Sequence, residues 1–282
     1  RASALRGLRH AIADLPSAEV QWKGALLHHG MRKMLVFREE AALRHLLPAL
    51  FDAWPHLTSE HAVPSAAERE QMHLSLLETM AHELTYVAPY PAARRCYLTH
   101  LPALLAHLGL RICCGLLPLL KAILHLLDVE VDTAATKLHA PAAVATPDAT
   151  AVCDALDLLH ALLVQAWPRA AAHAPLVVKH TIAAYLRVAL SMQHPPPSPR
   201  AVYPKVGSDP SGPVLKVLKG VVAVLTLLRA AGAHEVCEAA LRVVRTKGDE
   251  AGGRGVGEAL RAAVRALEGA LAQNGTGSKS QV

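Results

Sequence analysis

The amino-acid sequence predicts an all-α protein. Alanine and leucine are abundant, which favours helix, and 52% of the 282 residues are hydrophobic while only 4% are aromatic. No segment shows the sustained period-two alternation of β-branched residues that is typical of strands. The chain is long enough for one elongated domain or for two compact ones.

Four helices are predicted before residue 90. The first, "ASALRGLRHAIADL", ends at Pro16, and "VQWKGALLHHGMRKML" follows it. The third, "REEAALRHLLPALFDAW", ends at a Trp-Pro pair. Ser65 opens the fourth helix, because a serine followed three residues later by glutamate is a capping box. This helix places an apolar stripe on one face and ends at Pro89.

The next stretch, Tyr97–Leu127, is almost entirely apolar. A transmembrane helix needs roughly 18 consecutive apolar residues, and Arg111 and Lys121 interrupt this run. We expect two buried helices instead. Pro102 would lie in the first turn of one helix, and the second would run from about residue 110 to 127 with a kink or restart at Pro118.

The second half of the chain predicts further helices separated by turn-rich segments. Periodicity is lost after Asp128 until Thr146 and Pro147, which are typical of a helix start. The next helix ends at a second Trp-Pro pair, and another begins near Pro175. We therefore divide the chain into a helical-repeat region (1–194), a Pro/Gly/Ser-rich loop (195–213), C-terminal helical repeats with a glycine-rich connector (214–273) and a disordered tail (274–282).

The spacing of the helices predicts the architecture. Ten to twelve helices are expected, and pairs recur about every forty residues, as in HEAT and armadillo repeats. Such antiparallel pairs stack into an α-solenoid with a continuous core. A globular all-α bundle is the alternative.

No pattern indicates catalysis, a metal or a cofactor. His82 begins a "HEL" triplet, but Tyr86 stands where a zinc-protease motif needs its second histidine. Gly253, Gly255 and Gly257 precede a helix without the strand and lysine of a phosphate-binding loop. We therefore predict that the protein is not an enzyme and binds no cofactor or metal.

Cysteines and charge bear on the compartment and on partners. The five cysteines show no C-x-x-C spacing, so we expect buried thiols in a reducing compartment, the cytoplasm or the nucleus. The net charge of +6 is dispersed, which favours a solvated basic face over nucleic-acid binding.

Because the sequence begins with Arg1, we expect it to be a portion of a longer protein. No positively charged stretch followed by an apolar run opens it, so we expect no secretory signal there.

Three blocks of sequence resemble a known family. They are "MLVFREEAALRHLLPALFDAWPHL", "RRCYLTHLPALLAHLGLRICCGLLPLLKAILHLL" and "ALDLLHALLVQAWPRAAAHAPLVVKHTIAAYL". In pattern and order they are similar to the family of the second Tel-two-interacting protein, the smallest subunit of the Triple-T (TTT) cochaperone complex. The blocks cover about half of the chain, chiefly its middle.

This resemblance implies a helical-repeat scaffold that joins the other two TTT subunits. That complex works with the ninety-kilodalton heat-shock chaperone to mature and stabilise phosphatidylinositol-kinase-related kinases. The subunit would bind no nucleotide and no metal. Alternatives are another HEAT or armadillo scaffold, such as a transport or trafficking adaptor, and a basic helical repeat that binds nucleic acid; an enzyme with an unrecognised site ranks last.

Candidate interface residues follow from side-chain chemistry. Tryptophan and arginine are enriched at binding hot spots, although a large aromatic at a helix end also packs the seam between repeats. Two arginines precede the most apolar helix, where they face either a partner or water. The candidate partner-interface residues are Phe51, Trp54, Arg94, Arg95, Trp167 and Arg169.

Overall fold

The structure is a computed structural model that describes Gly7 and residues 24–35, 39–136, 149–193, 211–250 and 256–277. Over these residues the prediction of an all-α fold is confirmed, with eleven α-helices, two 3₁₀ helices and no strand. The chain divides into two compact units, Arg1–Ile123 and Leu124–Val282. The predicted helix before Pro16 lies outside the described residues apart from Gly7.

Residues 24–123, the part of the first unit in which helices are described, contain four complete helices. α2 packs on α1 and on α4, and α3 packs on α4. A 3₁₀ helix, Gly109–Cys114, leads from α4 into α5, which begins at Leu116. The helices are α1 (Gly24–Met34), α2 (Glu40–Leu57), α3 (Ala66–Val87), α4 (Pro91–Leu108) and α5 (Leu116–Thr136).

The boundaries of α3 match the prediction. Its N-cap Ser65 is extended, and the Ser65 hydroxyl accepts a hydrogen bond from the backbone N–H of Glu68 at 3.3 Å. Leu76, Met80 and Leu84 of the predicted stripe are fully buried. The local capping signal and the apolar period therefore specify this helix together.

Prolines end helices less often than the sequence rules suggest. α2 continues past the Trp54–Pro55 pair to Leu57. Pro102 lies in the interior of α4, not in its first turn, because α4 already begins at Pro91. A proline costs least at the first helical position, and Pro91 occupies that position here. The restart expected at Pro118 comes at Leu116, so Pro118 falls in the first turn of α5.

In the second unit, the described residues form the remainder of α5 and six further helices. α9 packs on α6, α8, α10 and α11, while α8 also packs on α10 and α11. A 3₁₀ turn, Ala171–His173, joins α7 to α8. The helices are α6 (Ala149–Gln165), α7 (Trp167–Ala170), α8 (Ala174–Gln193), α9 (Ser211–Ala230), α10 (His234–Glu250) and α11 (Val256–Gly277).

Helices in this unit extend beyond their predicted ends. α5 runs to Thr136, because residues 129–136 contain neither proline nor glycine to stop it. α9 includes the last three residues of the predicted loop, and α11 includes the first four residues of the predicted tail. The expected start at Thr146 and Pro147, residues 195–210 and residues 251–255 of the glycine-rich connector lie outside the described residues. The two ends of that connector belong to α10 and α11.

One packing relation recurs within each unit: a long helix contacts the long helix two further along the chain. α2 packs on α4 in the first unit, and α6 packs on α9 and α9 on α11 in the second. α6 and α9 approach closely at Gly220, where an added Cβ would lie 3.1 Å from Leu156 Cδ1.

Among the described residues, no single helix is long and apolar enough to cross a membrane. The α6 helix and Trp167–Leu190 pass that test only as a pair, which is bent by 104°.

Candidate protein-interaction surface

Trp54 belongs to the interior of the first unit. Its side chain is fully buried, and its Nε1 donates a hydrogen bond to Nδ1 of His73 at 3.1 Å. Burial, and secondarily the positive charge of Arg111, lowers the pKa of His73 to about 4. His73 is therefore neutral at pH 7, with Nδ1 available as the acceptor. Phe51 is also buried, so both aromatic residues stabilise the core rather than the surface.

Arg94 is buried as well. Its Nη1 donates a hydrogen bond at 2.8 Å to the carbonyl oxygen of Ala88, directly after the end of α3. The last carbonyls of a helix lack intrahelical donors, and a charged donor satisfies one of them well. Arg94 thus ties α4 to the end of α3, whereas Arg95 is exposed on the next position of α4.

Trp167 is the candidate residue with the most distinctive exposure. It begins the one-turn helix α7, at the bend that follows α6, and 60% of its side chain is accessible to solvent. Val164, three residues earlier, is also exposed, at 41%. Arg169 is exposed in the same turn as Trp167. We call these three residues, Val164, Trp167 and Arg169, which are all exposed around the same bend, the Trp167 surface; exposed tryptophan and arginine side chains are enriched at protein-binding hot spots.

The sequence did not predict which apolar residues outside the Trp167 surface are exposed to solvent. Tyr86 and Tyr90 are exposed around the end of α3, and the ring of Tyr86 lies 4.7 Å from that of His82. Leu110 and Leu117 are exposed near the start of α5. Their exposure depends on how each helix is rotated against its neighbours, which the composition of a nearly all-apolar segment does not reveal.

A polar groove lies between α1 and α3. The Arg32 guanidinium donates to the hydroxyls of Ser75 and Thr79, at 2.7 and 2.8 Å. The groove has a volume of about 680 Å³, and its walls also carry Lys33 and Glu78. Opposite charges are mixed there and the guanidinium already has two partners, so the groove favours no single charge of ligand.

Titratable groups elsewhere serve packing. Asp128 Oδ2 lies 2.9 Å from Nδ1 of His180 and so links α5 to α8 within the second unit.

Burial raises the pKa of the thiols of Cys96 and Cys237, which keeps them protonated at neutral pH. The expectation of buried thiols is met by these two alone, because Cys113 and Cys153 are half-buried and Cys114 is exposed. Over the described residues, no three His, Cys, Asp or Glu side chains are placed to hold a metal ion.

Comparison with known proteins adds no family assignment. No protein-family model, no curated protein and no solved structure matches this chain.

Proposed function

We propose that this protein is a non-enzymatic α-solenoid scaffold that binds protein partners, and that it acts as an adaptor subunit of a cochaperone complex. The observation that carries the scaffold role is the exposure of both Trp167 and Arg169 in a single helical turn, at a bend between packed helices. Tryptophan and arginine dominate the binding energy of many protein interfaces, where truncation of one such anchor typically costs about 2 kcal/mol or more.

The packing of alternate helices supports the solenoid. In a stack of antiparallel helix pairs, each helix contacts its own partner and the equivalent helix of the next pair. The contacts of α2 with α4, of α6 with α9 and of α9 with α11 follow this rule within each unit. The Arg32 bridge from α1 to Ser75 and Thr79 of α3 gives the same relation for the opposite row of helices.

The cochaperone role rests on the order of the three sequence blocks. In this proposal the partners are the other two TTT subunits, the heat-shock chaperone machinery and the phosphatidylinositol-kinase-related kinases, in the cytoplasm and the nucleus. Two of the blocks contain Trp-Pro pairs, at Trp54 and Trp167. The first tryptophan packs the core and the second is exposed, so the Trp167 surface is the one to test for partner binding.

Affinity purification from native lysate with the full chain as bait, read out by mass spectrometry, tests both parts of the proposal. We expect the wild-type chain to recover the two larger TTT subunits, with kinases at lower yield. The W167A/R169A variant should lose about tenfold or more of that recovery. A matched control, R242A/V243A, alters an exposed arginine and an exposed apolar residue of α10 and should recover as much as wild type.

Other outcomes separate the two parts. Recovery of trafficking proteins in place of the TTT subunits would overturn the cochaperone role and leave the scaffold role standing. If W167A/R169A recovers as much of the partners as wild type does, the Trp167 surface is not part of the binding interface. If the chain instead recovers nucleic acid, and this binding weakens steeply as salt increases, nucleic-acid binding would replace the scaffold role. Such salt dependence is expected because a protein that binds phosphates displaces their counterions.

A further inference from the structure

The groove between α1 and α3 holds charges of both signs that do not neutralise one another. Arg32 donates to the hydroxyls of Ser75 and Thr79, at 2.7 and 2.8 Å, and both of these acceptors are neutral. Lys33 and Glu78 line the same groove, and both are exposed. Neither of them pairs with a charged group among the described residues. Two cations and a carboxylate are therefore open to a ligand within one cavity.

Both walls of the groove are continuous α-helices, so α-helical spacing applies along each of them. On α3 the lining residues recur at i, i+3, i+4 and i+7, which keeps them on one face over two turns. At about 1.5 Å per residue, this face is roughly 10 Å long. The side chains that share the groove include Arg32 and Lys33 on α1 and Ser75, Glu78, Thr79 and His82 on α3.

The guanidinium of Arg32 is held in place within this groove. Its two hydrogen bonds reach from α1 to α3, and the Thr79 hydroxyl in turn donates to the carbonyl oxygen of Ser75 at 2.7 Å. An arginine has five N–H donors, so further donors remain for a ligand. Because the hydroxyls fix the side chain without cancelling its charge, the groove presents an ordered cation. Less entropy is lost when an anion binds to a group that is already ordered.

The two carboxylates of the groove differ in what they can offer a ligand. Glu83 is only 5% exposed, and Nδ1 of the neighbouring His82 lies 3.4 Å from its Oε1. Glu83 also has a further interaction within the chain, so its charge is already engaged. Glu78, in contrast, is exposed on the groove wall. Glu78 is therefore the carboxylate that a cationic group of a ligand would meet.

We propose that this groove binds a zwitterionic peptide of about three residues, with its carboxylate on Arg32 and Lys33 and its ammonium on Glu78. A ligand with a single charge would be attracted by one part of the groove and repelled by the other, whereas a zwitterion is complementary to both. An extended chain of about three residues spans roughly 10 Å, the length of the α3 wall. The groove volume of about 680 Å³ lies in the usual range of ligand pockets. The proposal goes beyond the scaffold role and rests on neither the TTT complex nor the Trp167 surface.

Titration of the isotope-labelled full chain with trialanine, followed by NMR chemical shifts at neutral pH, tests the groove. We expect saturable shifts with a Kd on the order of 1 mM or below, as for a small ligand of modest efficiency. Two capped forms of the peptide separate its two charges. C-terminal amidation removes the carboxylate and N-terminal acetylation removes the ammonium, and each should weaken binding by about threefold or more.

Two variants assign each charge of the peptide to its partner. K33Q should weaken the binding of trialanine and reduce the further loss caused by amidation, while the loss caused by acetylation stays as in wild type. E78Q should show the converse, because direct partners give non-additive losses. The matched control E70Q/K121Q changes an exposed glutamate of α3 and an exposed lysine of α5 outside the groove and should bind as wild type does. All four residues are exposed, so circular dichroism should show an unchanged fold.

Several results would overturn the proposal. They are the absence of saturable shifts with trialanine, capped peptides that bind as tightly as the free one, and an equal loss of affinity in E70Q/K121Q. Inorganic phosphate that binds as tightly as trialanine, with no effect of E78Q on either, would make the groove a simple anion site instead. Failure to recover TTT subunits in the lysate experiment would leave these peptide results unaffected.

Discussion

The indole of Trp54 and the imidazole of His73 form a buried, directional pair between α2 and α3. Trp54 Nε1 donates to His73 Nδ1 at 3.1 Å, and the rings meet edge to face with centroids 5.8 Å apart. The hydrogen bond requires Nδ1 to be unprotonated, because a protonated imidazole has no acceptor. The protonation state of one histidine therefore decides whether this contact of the first unit is made.

The stability of the protein should fall as the pH decreases through the titration of His73. The pKa of His73 is lowered from 6.5 to about 4 in the folded state, so between these values the unfolded chain takes up a proton that the native chain does not. We expect a loss on the order of 1–3 kcal/mol of unfolding free energy across this window, complete below about pH 4. Urea unfolding followed by circular dichroism at a series of pH values measures it.

Two variants isolate the contribution of His73. H73Q keeps an acceptor for the indole but does not titrate, so its unfolding free energy should change less between pH 6.5 and 4 than that of wild type. H107Q removes a more exposed histidine whose pKa is lowered in the same direction, and it should keep most of the wild-type pH dependence. An H73Q profile identical to wild type would contradict the assignment.

Substitution by phenylalanine should destabilise the protein at Trp54 and have little effect on stability at Trp167. W54F leaves His73 Nδ1 buried without its donor, which costs about 1–3 kcal/mol of stability. W167F alters a side chain that is 60% exposed and should change stability by less than about 0.5 kcal/mol. Chemical denaturation of both variants checks this contrast, and equal destabilisation would show that exposure does not distinguish the two residues.

Two glycines within helices of the second unit should respond differently to alanine. At Gly269 nothing lies within 4 Å of an added Cβ, so G269A should stabilise the protein by about 0.5–1 kcal/mol through helix propensity. At Gly220 the added Cβ would lie 3.1–3.2 Å from Leu156 side-chain atoms, and overpacking typically costs about 1–3 kcal/mol. G220A should therefore be less stable than G269A by thermal or urea unfolding, and the reverse order would refute the close approach of α6 and α9.

The N-cap of α3 offers a local test. S65A removes the hydroxyl that accepts from Glu68 N–H and should destabilise the protein by about 1 kcal/mol. S65D restores an acceptor and adds a negative charge at the helix N-terminus, so its unfolding midpoint should return to the wild-type value or exceed it. If S65A and S65D unfold at the same denaturant concentration, the cap does not contribute.

The sequence predicted a helix well where interactions within that helix determine its ends and its buried face. Ser65 and the apolar stripe of α3 were sufficient because a cap and a period act within one helix. The same rules placed Pro102 at a helix start, yet it lies inside α4, where tertiary packing outweighs the lost hydrogen bond. Local rules describe the cost of a proline but not the contacts that offset it.

The candidate site was harder to predict because exposure is a tertiary property. Trp54 and Trp167 both precede a proline at the end of an apolar segment, and the sequence treats them alike. α2 continues for another turn and buries Trp54, whereas the chain bends after α6 and leaves Trp167 in solvent. Arg94 and Arg95 differ in the same way, since a shift of one residue rotates a helical side chain by about 100°.

The packing of α2 on α4 has a consequence for the newly made chain. The face of α2 that packs on α4 stays uncovered until α4, which ends at Leu108, has left the ribosome. At about 5–20 residues per second, this delay lasts several seconds. We expect ribosome-bound chains halted at the end of α3 to be held by cellular chaperones, and chains halted after α4 has emerged to be released from them.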